Sequence, residues 1–295
     1  MICISLKELS VKGETATPGT LYLVATPIGN LEDMTFRALR VLREVDLVAA
    51  EDTRHSRKLF NHYGISTPLT SYFAHNESLK GEKILDLLRQ GKSVALITDA
   101  GTPAISDPGF LLVRACRDHD LPVTAVPGAS AVIAGLSVSG LPTERFAFEG
   151  FLPPRTVARR KLLHALREEK RTLIFYEAPH RLRAALQDLA EALGDDREVA
   201  VVRELTKLHE EVFRGTAGQA VEYFGRDRVR GEIVLMVGPA SAQVPKETVA
   251  EALLRWRRDT DLPMRQIVKE VARQFGLSGS EVYRESLTLP DDENA

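Results

Sequence analysis

Val94-Ala95-Leu96-Ile97-Thr98 runs without a break into Asp99-Ala100-Gly101-Thr102-Pro103-Ala104-Ile105-Ser106-Asp107-Pro108-Gly109. A short uncharged run that stops at a Gly- and Pro-rich segment reads as a strand buried on both faces, as a helix-covered parallel sheet requires. Similar strand-and-loop units lie on either side. Residues 21–25 form a first strand that opens onto Thr26-Pro27-Ile28-Gly29-Asn30, and residues 45–50 form a second that opens onto Glu51-Asp52-Thr53-Arg54. Residues 123–126 form a fourth, opening onto Pro127-Gly128-Ala129-Ser130-Ala131. Between them, Phe36, Leu39, Leu42 and Val45 share one helical face. Asn76 suits the N-cap of a helix through Gln90, which Gly91 stops. This βα alternation predicts a mostly parallel α/β sheet.

The pattern changes near residues 139–143. Residues 146–149, 172–176, 199–203 and 231–237 read as strands, with helices over 156–170 and 179–193, so the second block is mixed α/β. After a linker-like run at 240–245, helices over 263–275 and 280–287 flank Gly276-Leu277-Ser278, the outline of a helix-turn-helix. The expected organisation is an N-terminal extension (1–17), an N-terminal α/β domain (18–140), a second α/β domain (141–240) and a small helical domain (246–295).

Composition narrows the function. Lys plus Arg number 39 and Asp plus Glu 41 in 295 residues, a net charge of −2 that excludes a uniformly basic nucleic-acid coat. Two cysteines, Cys3 and Cys116, exclude a disulfide scaffold and a CxxC zinc site and suit a reducing cytosol. The seven histidines show no metal-ligand spacing, so no metal is expected. The start lacks the apolar run of a secretory signal, and prolines and glycines interrupt residues 121–141, the least polar long stretch. A soluble, cytoplasmic protein with no membrane partner is the expectation.

In an open α/β sheet the ligand lies beyond the carboxyl ends of the strands. Three strand-ending loops rich in Gly and Pro (27–30, 99–109 and 127–131) therefore point to a ligand cleft. The first turn carries one glycine where a dinucleotide fingerprint needs three, and no GxxxxGK[ST] occurs, which disfavours a nicotinamide cofactor and a P-loop. A helix-turn-helix regulator would leave the cleft without a purpose.

Seven ordered motifs carry a resemblance. They are Thr20-Leu-Tyr-Leu-Val-Ala-Thr-Pro-Ile-Gly-Asn-Leu-Glu-Asp, Ala50-Glu-Asp-Thr-Arg, Thr98-Asp-Ala-Gly-Thr-Pro-Ala-Ile-Ser-Asp-Pro-Gly, Val126-Pro-Gly-Ala-Ser-Ala, Phe148-Glu-Gly-Phe-Leu-Pro, Phe175-Tyr-Glu-Ala-Pro-His-Arg and Arg203-Glu-Leu-Thr-Lys. Over about residues 19–239 the chain resembles the 16S rRNA cytidine 2′-O-methyltransferases of the tetrapyrrole methylase superfamily, and its terminal helix pair is similar to their small helical domain. The resemblance implies two α/β domains closing on S-adenosylmethionine, a homodimer, and 16S rRNA within the 30S subunit, at the decoding region, as partner. It implies cofactor contacts at Pro27, then at Asp99, Gly101, Thr102 and Ile105, then at Ser130 and Ala131, with Tyr176, Leu205 and Met236 from the second domain. Tetrapyrrole enzymes of the superfamily carry Gly-Asp-Pro where this chain has Gly101-Thr102-Pro103, which counts against the alternative, a tetrapyrrole substrate.

Methylating a ribose hydroxyl needs orientation and a group to take the proton. The acids at loop positions are Glu51, Asp52, Asp99, Asp107 and Glu177, with His180 beside them; each also suits a cap or turn bond, Asp107 before Pro108 especially. A cluster of Glu51, Asp52 and Arg54 is the expected catalytic group, although Arg54 suits either an RNA phosphate or a pair with Asp52 or Glu51. For RNA, the basic stretch with Arg155, Arg159, Arg160 and Lys161 and the pair Arg57 and Lys58 are the expected phosphate contacts.

Overall fold

The computed structural model describes residues 19–226, 228–240, 247–260 and 262–289; the N-terminal extension, Cys3 and most of the linker-like run lie outside them. The first half builds a five-stranded sheet in the order β3-β2-β4-β1-β5, parallel throughout, from β1 (Leu21–Val24), β2 (Leu47–Ala50), β3 (Leu69–Ser71), β4 (Val94–Ile97) and β5 (Val123–Val126). β4 lies between β2 and β1 and is buried at all four residues, which is why its sequence is unbroken by polar side chains. Helices α1 (Phe36–Glu44) and α2 (Thr53–Tyr63) cover one face, and α3 (Glu77–Arg89) and α4 (Phe110–Asp118) the other.

The order of strands sets the site. Because β4 inserts beside β1, the loops that follow these two strands leave the same end of the sheet as neighbours. They are tied by a reciprocal backbone pair, Thr26 N–H to Gly101 O at 2.9 Å and Gly101 N–H to Thr26 O at 3.0 Å.

The second sheet runs β6-β7-β10-β8-β9, from β6 (Phe146–Phe151), β7 (Thr172–Glu177), β8 (Glu198–Arg203), β9 (Glu211–Thr216) and β10 (Ile233–Val237). β6 and β7 are parallel and the remaining pairs antiparallel, which makes it the mixed sheet that the sequence implies. One face packs on α6 (Thr156–Ala165), α7 (Leu182–Leu193) and α8 (Ala217–Gly225). The other face is covered by α5 (Ala131–Ser139), whose Val132 and Leu136 pack with Ile174, Ala200, Val234 and Met236. α5 therefore follows the first sheet in the chain but completes the core of the second.

The C-terminal piece is a bundle of three helices, α9 (Val249–Asp259), α10 (Met264–Phe275) and α11 (Gly279–Ser286), around Leu253, Ile267, Val271 and Val282. The expected helix pair is present. Gly276 ends α10 with φ of 65°, and Ser278 opens α11 in a reciprocal capping box with Glu281. α9 precedes the pair and supplies a third wall. Among the described residues no helix is long and apolar enough to cross a membrane. One local expectation fails: Asn76 makes no side-chain cap to α3, because its carboxamide oxygen instead accepts the Phe73 N–H at 2.8 Å.

Candidate active site

A cavity of about 450 Å³ lies where loops of the first sheet meet β7, β8, β10 and their loops in the second. The first half contributes Ile28, Glu51, residues 98–102, residues 105–107, Ser130 and Ala131; the second contributes Phe151, residues 176–179, Val202, Leu205 and residues 232–234. The size suits a nucleoside-sized ligand. The wall has two characters. Ile28, Ala131, Val202, Leu205 and Val234 offer apolar surface, whereas Glu51, Asp99 and Asp107 present carboxylates from the loops after β2 and β4.

Hydrogen bonds fix these acids. The Thr98 hydroxyl donates to Glu51 Oε2 at 2.7 Å, while the Thr98 carbonyl accepts from the Thr26 hydroxyl at 3.0 Å. Asp99 Oδ1 accepts the Asp52 N–H at 3.2 Å. Burial raises the Asp99 carboxyl above its ordinary value, with the Asp52 N–H pulling the other way. Burial pushes Asp107 up to about 6, with a hydrogen bond from the Thr98 hydroxyl pulling the other way and the charges of Glu51 and Asp99 adding to the rise. Across the cavity, burial raises the Tyr176 hydroxyl, reinforced by Asp107 and Glu232; its ring packs edge-on against Phe148 and Phe151. Glu177 is inaccessible to solvent. Its Oε1 accepts from the Ala178 N–H at 2.7 Å and pairs with Arg181 at 2.8 Å, and its Oε2 is buried with no hydrogen-bond partner.

Two loops of the cleft carry unusual backbone. Ala104 (φ 68°) and Ser106 (φ 64°) lie in the left-handed region within the long loop, as do Glu204 (φ 52°) and Thr206 (φ 68°) beside Leu205. The second loop is braced by Lys207, whose Nζ reaches Glu204 at 2.9 Å and Glu232 at 3.0 Å. It lies against Gly29, where a Cβ would come within 2.5 Å of Lys207 Cγ, so the first turn needs glycine for this close approach.

Of the expected cofactor contacts, Asp99, Gly101, Thr102, Ile105, Ser130, Ala131, Tyr176 and Leu205 line the cavity. Pro27 precedes the lining residue Ile28, and Met236 is fully buried in the core beneath α5 instead. Of the expected catalytic cluster only Glu51 reaches the cavity. Asp52 caps α2 and holds Arg54 through two side-chain bonds of 3.1 and 2.8 Å, and the Arg54 side chain is otherwise 91% exposed. That pair draws the Asp52 carboxyl well below its usual range.

The basic residues divide. Arg57 and Lys58 are exposed on α2, and Arg155, Arg160 and Lys161 on or beside α6. Arg159 differs from the expectation: it is 2% exposed, and its Nε donates to Asp188 Oδ2 at 2.7 Å, so its charge is spent inside the protein, away from any phosphate. An arginine one turn into an amphipathic helix, facing an acid on α7, is hard to tell by composition from its solvated neighbours. Sequence reading also passed over Glu232, whose only signal is an acid at the entry to a buried strand. Among the described residues no three His, Cys, Asp or Glu side chains are placed to hold a metal ion.

Comparison with known proteins adds to this geometry. The profile of a family described as "Tetrapyrrole (Corrin/Porphyrin) Methylases" matches residues 20–221. The chain is 47% identical over 277 residues to "Ribosomal RNA small subunit methyltransferase I" of Synechocystis, spanning 93% of this chain and 99% of that protein. It is 46% identical over 273 residues to the protein of that name from Pseudomonas aeruginosa (91% and 97%), and 44% over 272 residues to that from Escherichia coli O157:H7 (91% and 95%). Among solved structures, cobalt precorrin-4 methyltransferase aligns with TM-score 0.58 at 20% identity over 75% of this chain and 95% of its own. Diphthine synthase aligns with TM-score 0.56 at 13% identity over 74% and 89%. At such identities these two structures speak for the fold alone.

Proposed function

The chain belongs to the tetrapyrrole methylase family and is an S-adenosylmethionine-dependent methyltransferase, and we propose that it methylates the ribose 2′-oxygen of a cytidine in 16S ribosomal RNA. The observation that carries this reading is the near full-length likeness to proteins named small-subunit rRNA methyltransferases, which extends past the α/β sheets into the helical bundle.

The cavity residues fit the cofactor on their own chemistry. The Glu51 and Asp99 carboxylates at one wall favour a cationic sulfonium, and the apolar wall suits a purine. Asp99, Gly101, Thr102, Ile105, Ser130, Ala131, Tyr176 and Leu205 would hold it, and when bound it supplies the activated methyl group. The protein's own contribution is orientation, which in favourable cases lowers a barrier by about 7–11 kcal/mol. Phe151 packs edge-on against Tyr176 and helps fix the shape of the cavity wall. Thr102 donates to the Ala129 carbonyl at 3.4 Å, tying the second cofactor loop to the third in place of the acid found in tetrapyrrole enzymes.

RNA needs cations beside this opening. α2 begins two residues after Glu51, and α6 begins five after Phe151. Arg57 and Lys58 on α2 and Arg155 and Lys161 on or beside α6 are the phosphate contacts of this reading, with Arg160 drawn toward Asp188 and Glu191 at 2.6 and 2.8 Å, and they suit rRNA in the decoding region of the 30S subunit, in the cytoplasm. Self-association fits the apolar surface that α5 leaves uncovered, where Ile133 is 55% and Val138 47% exposed, and a dimer mass in sedimentation is the corresponding expectation. Methyl-labelled S-adenosylmethionine offered with undermethylated 30S particles, free 16S RNA and a tetrapyrrole precursor tests the whole reading. Label at a cytidine 2′-oxygen is expected; label on the tetrapyrrole alone would overturn it.

A further inference from the structure

We propose that Asp107 is the general base that takes the proton of the acceptor hydroxyl; this assignment rests on the ribose reading above. Three observations meet at this side chain. The first is the loop that presents it. Ala104 and Ser106 both sit at positive φ just before it, and Gly109 just after it has φ of 135°. A Cβ on Gly109 would lie 2.6 Å from Leu96 Cδ2, and the Gly109 N–H is held by Glu77 Oε1 at 2.8 Å. Non-glycine residues in the left-handed region cost on the order of 1–3 kcal/mol each and persist where the surroundings enforce them, most often at functional sites. Here the enforced conformation brings Asp107 to the cavity wall, instead of leaving it in the turn or cap bond that a residue before proline ordinarily makes.

The second observation is the state of the other acids. Glu51 accepts the Thr98 hydroxyl, Asp99 accepts the Asp52 N–H, Asp52 holds Arg54, and Glu177 is oriented by Ala178 and Arg181. The Thr98 hydroxyl lies 2.7 Å from Glu51 Oε2 and also within hydrogen-bonding reach of Asp107, and its single hydrogen serves one of the two carboxylates at a time. Asp107 thus has lone pairs to offer. The charged and titratable groups that face it are Glu51 after β2, Asp99 after β4 and Tyr176 on β7, and no lysine, arginine or histidine lines the cavity. Burial and like charges set Asp107 at about 6, near the pH at which a base is both ionised and strong enough to act.

The third is what this side chain faces. Across the cavity, the charge of Asp107 reaches the Tyr176 hydroxyl on β7, so the carboxylate faces the space between the two sheets where an acceptor hydroxyl would lie. In the transfer, the hydroxyl proton passes to an Asp107 carboxylate oxygen, an oxygen lone pair forms the new bond to the methyl carbon, and the carbon–sulfur electron pair remains on sulfur as a neutral thioether. The protonated Asp107 then returns its proton to solvent.

The test compares wild type with Asp107→Asn and Asp107→Glu on 30S particles in single-turnover methylation, with S-adenosylmethionine affinity measured by calorimetry. Asp107→Asn should slow transfer by about 10²- to 10⁴-fold while cofactor and RNA dissociation constants stay within about threefold. The wild-type kcat/KM should fall with decreasing pH through about 6; Asp107→Asn should lose that limb, and Asp107→Glu should restore a limb displaced in pH from that of wild type. A threefold or smaller rate change in Asp107→Asn, an acid limb that survives it, or a parallel loss of cofactor affinity would each overturn the assignment. If Asp107→Asn fails to fold, the Asp107→Glu profile decides, since a limb unmoved from wild type would assign the titration to another group. Wild-type label away from a 2′-oxygen would sink the reaction itself, whereas 2′-oxygen label that Asp107→Asn leaves intact would sink this residue alone.

Discussion

Replacing Asp188 by alanine should destabilise the protein more than removing the arginine it faces. Asp188 is 3% exposed on α7, and its two oxygens bind Arg159 Nε at 2.7 Å and Arg160 Nε at 2.6 Å. Without it, Arg159 keeps a charge in the interior with no counter-ion, a situation that costs about 3–5 kcal/mol. The reverse change, Arg159→Ala, leaves Asp188 paired with Arg160. The loss is then Arg159's bond to Asp188 Oδ2, whose carboxylate stays neutralised by Arg160, its weak bonds to the Pro153 and Pro154 carbonyls at 3.3 and 3.4 Å, and its packing, about 1–3 kcal/mol in all. Urea unfolding followed by circular dichroism should rank the two variants in that order, at least about 1 kcal/mol apart. An Asp188→Ala cost below about 1 kcal/mol, or one no larger than that of Arg159→Ala, would refute the reasoning. A corollary concerns RNA: Arg159→Ala should leave the salt dependence of RNA binding unchanged, because its guanidinium does not reach solvent.

Three further outcomes are expected. Arg57→Ala combined with Lys58→Ala should weaken RNA binding and flatten its logarithmic salt slope by about 1.4 to 1.8, the loss of two phosphate contacts, with cofactor affinity intact; filter binding across a salt series checks this. Gly109→Ala should lower stability by about 1–3 kcal/mol and cofactor affinity at least about tenfold, because both its φ and the nearby Leu96 side chain resist a methyl group; calorimetry reads the affinity. Asp107, raised in the folded state from 3.8 to about 6, binds its proton more tightly there than in the unfolded chain. The stability this provides is complete below pH 4 and lost as pH rises through 6. Asp107→Asn should therefore melt above wild type at pH 7.5 and lose that advantage near pH 3.5, as a thermal melt at each pH would show.

Much of this architecture is legible in the chain because burial on both faces forces a recognisable composition. β4 and β10 appear where the uncharged runs stand, and the loop after β4 lines the cavity as its Gly and Pro content implies. Short or half-exposed elements are less legible. β3 has three residues, all half-buried at the sheet edge, and β9 has only Val212 and Phe213 between two charged residues, so neither carries a run to find. Within the site, loop positions are predictable but side-chain commitments are not. Asp52 and Arg54 satisfy each other two residues apart, a local pairing that spacing permits without requiring, while Asp107 owes its place to backbone angles that no periodicity encodes.

The borrowing of α5 by the second sheet has a mechanical consequence. Ser130 and Ala131, at the start of this helix, lie on the cavity wall, while Val132 and Leu136 are locked against Val234 and Met236. The two sheets cannot swing apart like the covers of a book without peeling that helix away, so traffic in and out of the cleft belongs to the rim segments around Ile105 and Phe151. A scissile site engineered to yield complementing fragments should accordingly fall ahead of residue 130, and a cut at 140–145 would strand the helix on the wrong piece.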